Sequence, residues 1–478
     1  MNSPSLVTAS IPYVNARPHI GFALELVQAD VIARWHRLQG RETLFLTGTD
    51  DNALKNVRAA AKEGLAVRDF CDRNAGLFQD LLSSLNISAD RFIRTSSEAH
   101  FRGASRFWGA CRKEDIYTKR YRGLYCVGCE DFCLEKDLRK GLCPTHGTRP
   151  EVVEEQNYFF RLSAYERTLE ELIVSGTLKI APESRRNEAL GFIRHGLLDF
   201  STSRVRERSA GWGIPVPGDP TQVIYVWFDA LVNYLTGLGY GTDERDFERF
   251  WLHNSSKTHV IGKDILRFHA VYWPAMLLSA GLPLPETVWA HGFVTVEGEK
   301  ISKCQENAVD PFPLIERYGA DALRYYLLRA IPASSDGDFS MKRFGETYRA
   351  DLSDGLGNLV LRVEALCERT GFEIAQPAAD SLPESVSVSL SAFRFQDALR
   401  EIWDRVRELN QSVQNARPWN LLKGEEKTLL NSHLPEWVAS LRTVACCLRP
   451  FLPHTAEEIQ GRFSAGRIRR GEPLFPRK

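Results

Sequence analysis

Apolar and polar positions at the start of the chain predict a strand, a helix and a second strand. Residues 6–9 form a short apolar run, and after Pro18 apolar side chains recur every three or four positions, the spacing of an amphipathic helix. The positions of this stripe are Ile20, Leu24, Val27, Val31 and Trp35. Pro18 suits the first helical turn, Gly40 suits the helix end, and the apolar run 43–47 predicts the second strand. This order predicts a βαβ unit, whose ligand crevice lies at the carboxyl ends of the strands.

The pattern beyond Ser340 is helical almost throughout. Three apolar stripes at helical spacing are Leu356, Leu359, Val360 and Val363; Leu399, Ile402, Val406 and Leu409; and Trp437, Leu441 and Val444. Stripes of this kind pack against one another in an α-helical bundle. The hydrophobic pattern therefore predicts an α/β part followed by an all-α part.

Composition narrows the class of protein without identifying it. A chain of 478 residues favours two to four domains, and it contains neither an apolar run of membrane-spanning length nor a secretory leader. Its ten cysteines do not form a disulfide framework, which favours a reducing cytoplasm. The net charge is zero, so any RNA-binding surface requires basic residues that are segregated onto one face.

Four residues between the two halves have the spacing of a metal site. Cys126, Cys129, Cys143 and His146 follow the pattern C-x2-C-x13-C-x2-H, with glycines at the turns. Three thiolates and one imidazole form a closed tetrahedral zinc site without an open position. The sequence therefore predicts one structural zinc ion.

Two further segments have the composition of phosphate-binding turns. His19 lies where the predicted helix begins, and helix N-termini offer N–H groups and positive potential to phosphates. Far downstream, residues 298–304 (Gly-Glu-Lys-Ile-Ser-Lys-Cys) place Lys300 and Lys303 in a predicted loop after an apolar strand at 293–296. Each segment by itself is more often an ordinary packed turn or a solvated loop.

Taken together, the two segments resemble the signatures of the class I aminoacyl-tRNA synthetases, HIGH and KMSKS. Here they read His-Ile-Gly-Phe (19–22) and Lys-Ile-Ser-Lys-Cys (300–304), and about 280 residues with a cysteine-rich insertion separate them, as in the methionyl branch. The resemblance covers nearly the whole chain. It implies that His19, Gly21, Lys300, Ser302 and Lys303 bind ATP, with magnesium, and that His19, Lys300 and Lys303 are catalytic.

Asp50 follows the second predicted strand, and the local sequence allows two roles for its side chain. Its carboxylate can pair with a substrate ammonium group, or it can cap the helix that follows. The resemblance implies the first role, with the methionine side chain in a pocket of apolar and aromatic residues. The implied pocket residues are Ile11, Tyr13, Trp227, Ala230, Tyr234, Ile265, Phe268, His269 and Trp273. The spacing of the last four predicts one face of a single helix.

The resemblance also implies RNA recognition by the helical part. Asn358, Arg362 and Trp419 match the residues that read a CAU anticodon in the family, although each is ordinary in isolation. The implied partners are ATP, L-methionine and the methionine-accepting tRNA, with no membrane. No dimerisation domain follows before Lys478, so we expect a monomer.

The complete prediction is an α/β, Rossmann-type parallel-sheet catalytic domain that a zinc-containing connective insertion divides, followed by an all-α anticodon-binding bundle. The predicted boundaries are 1–115, 116–205, 206–345 and 346–478. Residues 22, 52 and 53 depart from the family pattern, because Phe22 replaces the second histidine of HIGH and Asn52-Ala53 replaces His-Gly. The departures leave two alternatives open: a relative that adenylates methionine or an analogue for a non-tRNA acceptor, and a non-enzymatic tRNA-binding relative.

Overall fold

The structure, a computed structural model, describes residues 3–128, 131–133, 135, 138–144, 147–300, 308–374, 382–418, 427–464 and 466–478. At residues 131, 300, 427–429 and 431 it describes the backbone only. Within these ranges, none of the helices has both the length and the apolar composition that a membrane span requires.

The secondary structure alternates in the first part of the chain and becomes mainly helical in the second. The strands are β1 (Ser5–Ala9), β2 (Thr43–Thr49), β3 (Arg91–Arg94), β4 (Ile116–Cys126), β5 (Asp131–Cys133), β6 (Glu151–Phe160), β7 (Lys179–Ala181), β8 (Phe200–Ser201), β9 (Ser203–Val205), β10 (Pro215–Val216), β11 (Asp219–Ile224), β12 (Ser256–Gly262), β13 (Thr287–His291), β14 (Val294–Val296), β15 (Glu299–Lys300), β16 (Gly337–Phe339), β17 (Glu373–Ile374) and β18 (Gly466–Arg467). The helices are α1 (Ile20–Leu38), α2 (Leu54–Glu63), α3 (Val67–Ser84), α4 (Glu98–Ala110), α5 (Glu166–Ser175), α6 (Glu183–Arg194), α7 (Val226–Leu231), α8 (Asn233–Thr236), α9 (Arg245–Phe247), α10 (Trp273–Ser279), α11 (Pro311–Tyr318), α12 (Ala320–Arg329), α13 (Met341–Thr347), α14 (Asn358–Thr370), α15 (Glu384–Ser391), α16 (Phe395–Asn415), α17 (Lys427–Leu448) and α18 (Pro453–Arg462).

The chain divides into two compact units, each built from separate segments. Unit 1 contains residues 1–18, 40–80 and 89–291, and unit 2 contains residues 19–39, 81–88 and 292–478. Helix α1 therefore belongs to unit 2, although the strands that flank it in sequence belong to unit 1.

Unit 1 is organised around a six-stranded sheet in the described residues, with the order β3-β2-β1-β12-β13-β7. All neighbouring strands pair in parallel, and the predicted pairing of β1 with β2 is confirmed. Strand β1 is buried along its whole length, as expected for a central strand of a parallel sheet. The strand order changes direction between β1 and β12, and ligands in such sheets bind beyond the carboxyl ends of the strands at this point. Residues that follow β1, β2 and β12 are therefore placed where such sheets bind ligands.

The segment predicted as an insertion contains a second sheet. Strands β5, β4, β6 and β8 form a four-stranded sheet in the described residues, and β4 pairs antiparallel with β6 along ten residues from Ile116 to Tyr125. Strand β7 lies in the same range, 116–205, but it pairs in parallel with β13 at the edge of the main sheet. This stretch of chain therefore contributes to both sheets.

Unit 2 is mainly helical, and the three predicted apolar stripes are buried in it. Each residue of those stripes is at most 5% exposed. Helix α1 is fixed within the unit by a buried ion pair of 2.7 Å between Asp30 and Arg324. Burial by itself would raise the pKa of Asp30, but the neighbouring Arg324 and Arg34 guanidinium groups hold it below its ordinary value. Asp30 is therefore charged, and its ion pair with Arg324 holds α1 within the unit while each group compensates the buried charge of the other.

Two local predictions in unit 2 were wrong. Helix α1 begins at Ile20 with His19 as its N-cap, so Pro18 precedes the helix instead of lying in its first turn. Lys300 lies on the short strand β15, which pairs antiparallel with β14, and not in a loop. The other residues of that signature, including Ser302 and Lys303, lie outside the described residues.

Candidate functional site

Asp50 lies at the carboxyl end of β2 in unit 1, beside the chain that follows β1. Its backbone N–H donates to the Pro12 carbonyl at 2.9 Å, and Asp50 forms an isolated parallel bridge with Tyr13. The side chain is buried, and its Oδ1 accepts from the Asn52 N–H at 3.2 Å. Helix α2 has Ala53 as its N-cap, so the interpretation of Asp50 as a helix cap is wrong. The Asp50 carboxylate is thus buried without capping α2.

Asn52, one of the departures from the family pattern, connects Asp50 to a buried polar network. Its amide nitrogen donates to Asp229 Oδ2 at 2.8 Å and to the Thr95 carbonyl at 3.0 Å. The other oxygen of Asp229 lies 2.5 Å from His100 Nε2, and His100 Nδ1 lies 2.7 Å from Thr236 Oγ1. Asn52 therefore stabilises the segment that carries Asp50 through bonds that alanine could not make. No local pattern in the sequence points to Asp229 or His100, because their contacts join residues more than 100 positions apart.

An aromatic cluster lies beside Tyr13 in the same unit. The rings of Trp227 and Phe268 stack with their centroids 3.7 Å apart, and Tyr13 meets Trp227 edge-on at 6.1 Å. Ile11 and Ile265 are partly buried against the same core. Trp227 Nε1 is buried and has no hydrogen-bond partner among the described residues. A buried N–H without an acceptor is unfavourable, and a ligand with an acceptor atom near Trp227 Nε1 would remove this energetic penalty.

A second cluster fixes the remaining predicted pocket residues. His269 Nδ1 lies 3.0 Å from the Ile265 carbonyl and therefore donates, so its Nε2 accepts from the Tyr234 hydroxyl at 2.7 Å. Trp273 Nε1 donates to His259 Nε2 at 3.3 Å, and His259 Nδ1 lies 2.7 Å from Thr8 Oγ1. Burial, with smaller contributions from His269 and Lys257, lowers the pKa of His259 well below its ordinary value. His259 can thus act as a neutral hydrogen-bonding group.

The helix that carries four predicted pocket residues is not regular. Ile265 ends a 3₁₀ turn, Phe268–Tyr272 is a π-helical turn, and Trp273 begins α10. The prediction that all four lie on one face of a single α-helix was wrong in this respect. The wider π turn nevertheless directs Phe268 toward Trp227 and His269 toward Tyr234. Ala230 is buried on α7, in the helix that also carries Trp227.

In unit 2, His19 caps the helix that the first signature begins. Its Nδ1 accepts from the Gly21 N–H at 3.1 Å, so a neutral ring carries its proton on Nε2. A Cβ atom at Gly21 would lie 3.0 Å from this imidazole, which explains the glycine. The Ile20 N–H donates to the Val309 carbonyl at 3.0 Å, which links the start of α1 to the chain just beyond the second signature. Phe22 is half-buried one residue after Gly21.

The predicted anticodon residues of unit 2 lie along α14. Asn358 is exposed at the first position of the helix, and Arg362 is half-buried one turn later. Arg362 Nη1 donates to Asn410 Oδ1 of α16 at 3.4 Å. Trp419 lies outside the described residues.

The predicted zinc ligands are partly described. Cys126 and Cys143 are buried, and both approach Thr148: Cys126 Sγ lies 4.0 Å from its hydroxyl, and the Cys143 N–H donates to its carbonyl at 2.8 Å. The Gly147 N–H donates to the Cys143 carbonyl at 2.8 Å. Cys129 and His146 lie outside the described residues. Within the described ranges, no group of three or more His, Cys, Asp or Glu side chains is arranged around a metal position.

Comparison with known proteins identifies the family. The model of the family "tRNA synthetases class I (M)" matches residues 5–149 and 133–364. The methionine–tRNA ligase of Nostoc sp. is 42% identical over 96% of this chain and 90% of its own length. That of Brucella suis is 41% identical over 95% of this chain and 90% of its own. The chain belongs to the methionyl-tRNA synthetases.

Two solved structures of a methionyl-tRNA synthetase have the same fold as this chain. The Mycobacterium tuberculosis methionyl-tRNA synthetase in complex with methionyl-adenylate has a TM-score of 0.92 and 37% sequence identity, and the match covers all of both chains. Its apo form has a TM-score of 0.84 with 36% identity, over all of this chain and 99% of the other. Family membership agrees with the α/β architecture and the parallel sheet seen here.

Proposed function

We propose that this chain activates L-methionine with ATP to form methionyl-adenylate and transfers the methionyl group to tRNA with a CAU anticodon. The observation that carries the proposal is the buried Asp50 carboxylate beside the Tyr13, Trp227 and Phe268 rings in unit 1. An anion next to an apolar aromatic pocket matches the ammonium group and thioether of methionine. The M. tuberculosis relative, which is described in complex with methionyl-adenylate, supports the same substrate.

In this proposal Asp50 binds the α-ammonium group, and the aromatic residues enclose the side chain. A polarizable sulfur makes favourable contacts with aromatic edges, such as those of Trp227, Phe268 and Tyr234. The Tyr234–His269 hydrogen bond keeps two polar groups paired inside an otherwise apolar wall. The pocket is therefore expected to accept an unbranched apolar side chain and to exclude charged ones.

Activation requires positioning and charge stabilisation, without a protein nucleophile. A carboxylate oxygen of methionine attacks the α-phosphorus of ATP, the bond to the bridging oxygen breaks, and pyrophosphate leaves. His19 is suited to donate from Nε2 to a phosphate oxygen at the positive end of α1. Gly21, Lys300, Ser302 and Lys303 complete the ATP site, with Lys303 as the principal transition-state cation. Magnesium accompanies ATP and neutralises phosphate charge. The terminal hydroxyl of the tRNA then attacks the carbonyl carbon of the adenylate, and AMP leaves.

We further propose that Cys126, Cys129, Cys143 and His146 hold one structural zinc ion. The thiols of Cys126 and Cys143 are both buried, and Thr148 contacts the Cys126 thiol through its hydroxyl and the Cys143 N–H through its carbonyl, which fits the chemistry of such a site. A zinc site with four protein ligands has no open coordination position, so it stabilises the fold of the insertion and takes no part in catalysis. Asn358, Arg362 and Trp419 are assigned to anticodon recognition, in which an indole stacks on an unpaired base and polar side chains read base edges.

The proposal is tested by measuring methionine-dependent ATP–pyrophosphate exchange beside the charging of initiator and elongator tRNA with CAU anticodons. We expect both reactions. Exchange without charging would indicate an acceptor other than tRNA. Neither reaction, with tRNA still bound, would contradict the assignment as an enzyme. Because Phe22 removes a hydrogen-bond donor from the first signature, Phe22→His should raise the exchange rate unless another group already compensates.

A further inference from the structure

A buried network of hydrogen bonds in unit 1 runs from the segment that carries Asp50 to helix α8. The Asn52 side-chain nitrogen donates to one carboxylate oxygen of Asp229 at 2.8 Å, and the other oxygen lies 2.5 Å from His100 Nε2. His100 donates there, because a carboxylate only accepts. Its Nδ1 lies 2.7 Å from Thr236 Oγ1. These four side chains, at most 8% exposed, are the buried network.

The first link of the buried network joins the predicted ammonium site to a helix of the side-chain pocket. The Asn52 N–H donates to Asp50 Oδ1 at 3.2 Å, so the residue that holds Asp50 is also the one that contacts Asp229. Asp229 lies on α7, two residues after Trp227. A shift of α7 relative to the end of β2 would break the Asn52–Asp229 bond. This bond therefore fixes the separation of the Asp50 carboxylate from the Trp227 ring.

The second link joins α7 to two further helices, α4 and α8. His100 lies on α4, and Thr236 is the last residue of α8, which also carries the predicted pocket residue Tyr234. A Cβ atom at Gly103 of α4 would lie 2.3 Å from Thr236 Cγ2, so the two helices approach this closely only with glycine there. The link therefore also fixes the position of Tyr234 relative to α7.

We propose that Asn52, Asp229 and His100 are positioning residues that set the length of the amino-acid side chain which the pocket accepts. This inference rests on the proposed function. A buried ion pair contributes little net stability, whereas a fully paired buried network holds the surrounding segments in one arrangement. The fixed distance from the ammonium-binding carboxylate to the aromatic wall selects side chains as long as that of methionine. A pocket in which this distance varied would also accept longer side chains.

The decisive variant is Asp229→Asn, because an amide of the same shape cannot accept from both Asn52 and His100. ATP–pyrophosphate exchange is measured with methionine and with ethionine, whose side chain is one methylene longer. One methylene typically changes kcat/KM by about 10- to 200-fold, and the variant should reduce this discrimination roughly fivefold or more, through the KM for the amino acid. The KM for ATP should be unchanged. Discrimination between methionine and norleucine, which have side chains of equal length, should also be unchanged.

Asn52→Ala removes a donor from Asp229 and decides the question if Asp229→Asn does not fold. Its matched control is Asn254→Ala, at a buried asparagine that donates to the Phe250 and Ser256 carbonyls at 3.1 and 3.0 Å. Asn254 precedes β12, at the opposite end of the sheet from the ligand crevice. The control should lower the free energy of unfolding in urea as Asn52→Ala does, and leave the discrimination intact.

The conservative variant Asn52→His keeps an N–H donor toward Asp229, so its discrimination should stay within about twofold of the unaltered chain. The inference is overturned if Asp229→Asn and Asn52→Ala lower stability but still discriminate against ethionine as the unaltered chain does. Equal loss of discrimination in Asn254→Ala would also overturn it. Failure of the proposed function is distinguishable, because the unaltered chain would then show no exchange with methionine.

Discussion

The predicted methionine pocket in unit 1 and the predicted anticodon surface on α14 of unit 2 differ in how their residues are held. Asp50, Tyr234 and His269 are buried and connected by hydrogen bonds to several segments of the chain. Asn358 is exposed, and Arg362 has one long side-chain bond, to Asn410. Pocket geometry depends on long-range packing, whereas the geometry of the α14 surface depends mainly on helical periodicity.

This difference predicts different consequences of mutation. A substitution in the pocket leaves a buried polar group without its hydrogen-bond partner. The loss in folding free energy then exceeds the net contribution of that hydrogen bond, because the unpaired group is still removed from water. A change on α14 removes a ligand contact and leaves the folded chain nearly as stable, because exposed substitutions usually alter stability by less than about 0.5 kcal/mol. Pocket variants should therefore affect activation and stability, and α14 variants should affect tRNA reactions alone.

The largest effect is expected for Asp50→Asn. Loss of the carboxylate leaves the methionine ammonium group without its counter-charge, which costs about 3–5 kcal/mol in a desolvated site. The kcat/KM for methionine in ATP–pyrophosphate exchange should fall roughly 10²–10³-fold. The control is Asp243→Asn, an exposed carboxylate of the same unit, which should leave exchange intact. Equal activity of Asp50→Asn and the unaltered chain would remove Asp50 from the site.

Arg362→Gln should impair tRNA charging without affecting methionine activation, and it therefore distinguishes the roles of the two regions most clearly. A lost base contact costs about 1–3 kcal/mol, so kcat/KM for charging should fall roughly 5- to 100-fold, with pyrophosphate exchange unchanged. The ratio of charging between CAU and altered anticodons should also fall. Arg343→Gln, at an exposed arginine of unit 2, serves as the control. A parallel loss of exchange would show that the two regions do not act separately.

The buried His259 predicts a pH dependence of stability in unit 1. Its folded pKa lies well below that of the unfolded state, about 6.5, so the unfolded chain binds an extra proton below that pH. Stability should therefore fall as the pH decreases through 6.5, because the unfolded chain gains a proton that the buried imidazole does not. Urea unfolding at pH 7 and 5 should show a smaller loss for His259→Gln. The same loss in both proteins would refute a neutral, buried His259.

The smallest effect is expected for Tyr234→Phe. Removal of the hydroxyl leaves His269 Nε2 without its 2.7 Å donor and costs about 1 kcal/mol, or roughly a fivefold increase in the KM for methionine. Charging should change only through this KM. Tyr240→Phe, a buried tyrosine elsewhere in unit 1, should leave the KM unaltered. A KM that is equally raised in both variants would indicate general loosening of the core.

The sequence predicted local elements well because their signals are local. Strands β1 and β2, helix α1 and the buried stripes of unit 2 follow from hydrophobic period alone. The positions of Asp50 and of the aromatic cluster follow from family resemblance combined with strand ends. The contacts of Asn52 with Asp229, and of Trp273 with His259, were not predictable, because they depend on strand order and on distant segments. The π turn at Phe268–Tyr272 was not predicted, because the apolar residues in and around it have the same spacing in the sequence as one face of an α-helix.

The most direct test of the account is to incubate the chain with ATP, magnesium and methionine without RNA, and to measure bound methionyl-adenylate by mass spectrometry. The account predicts a stoichiometric amount with the unaltered chain and a strongly reduced amount with Asp50→Asn. Absence of adenylate from the unaltered chain at saturating substrates would contradict it, because the pocket in unit 1 would then not support activation.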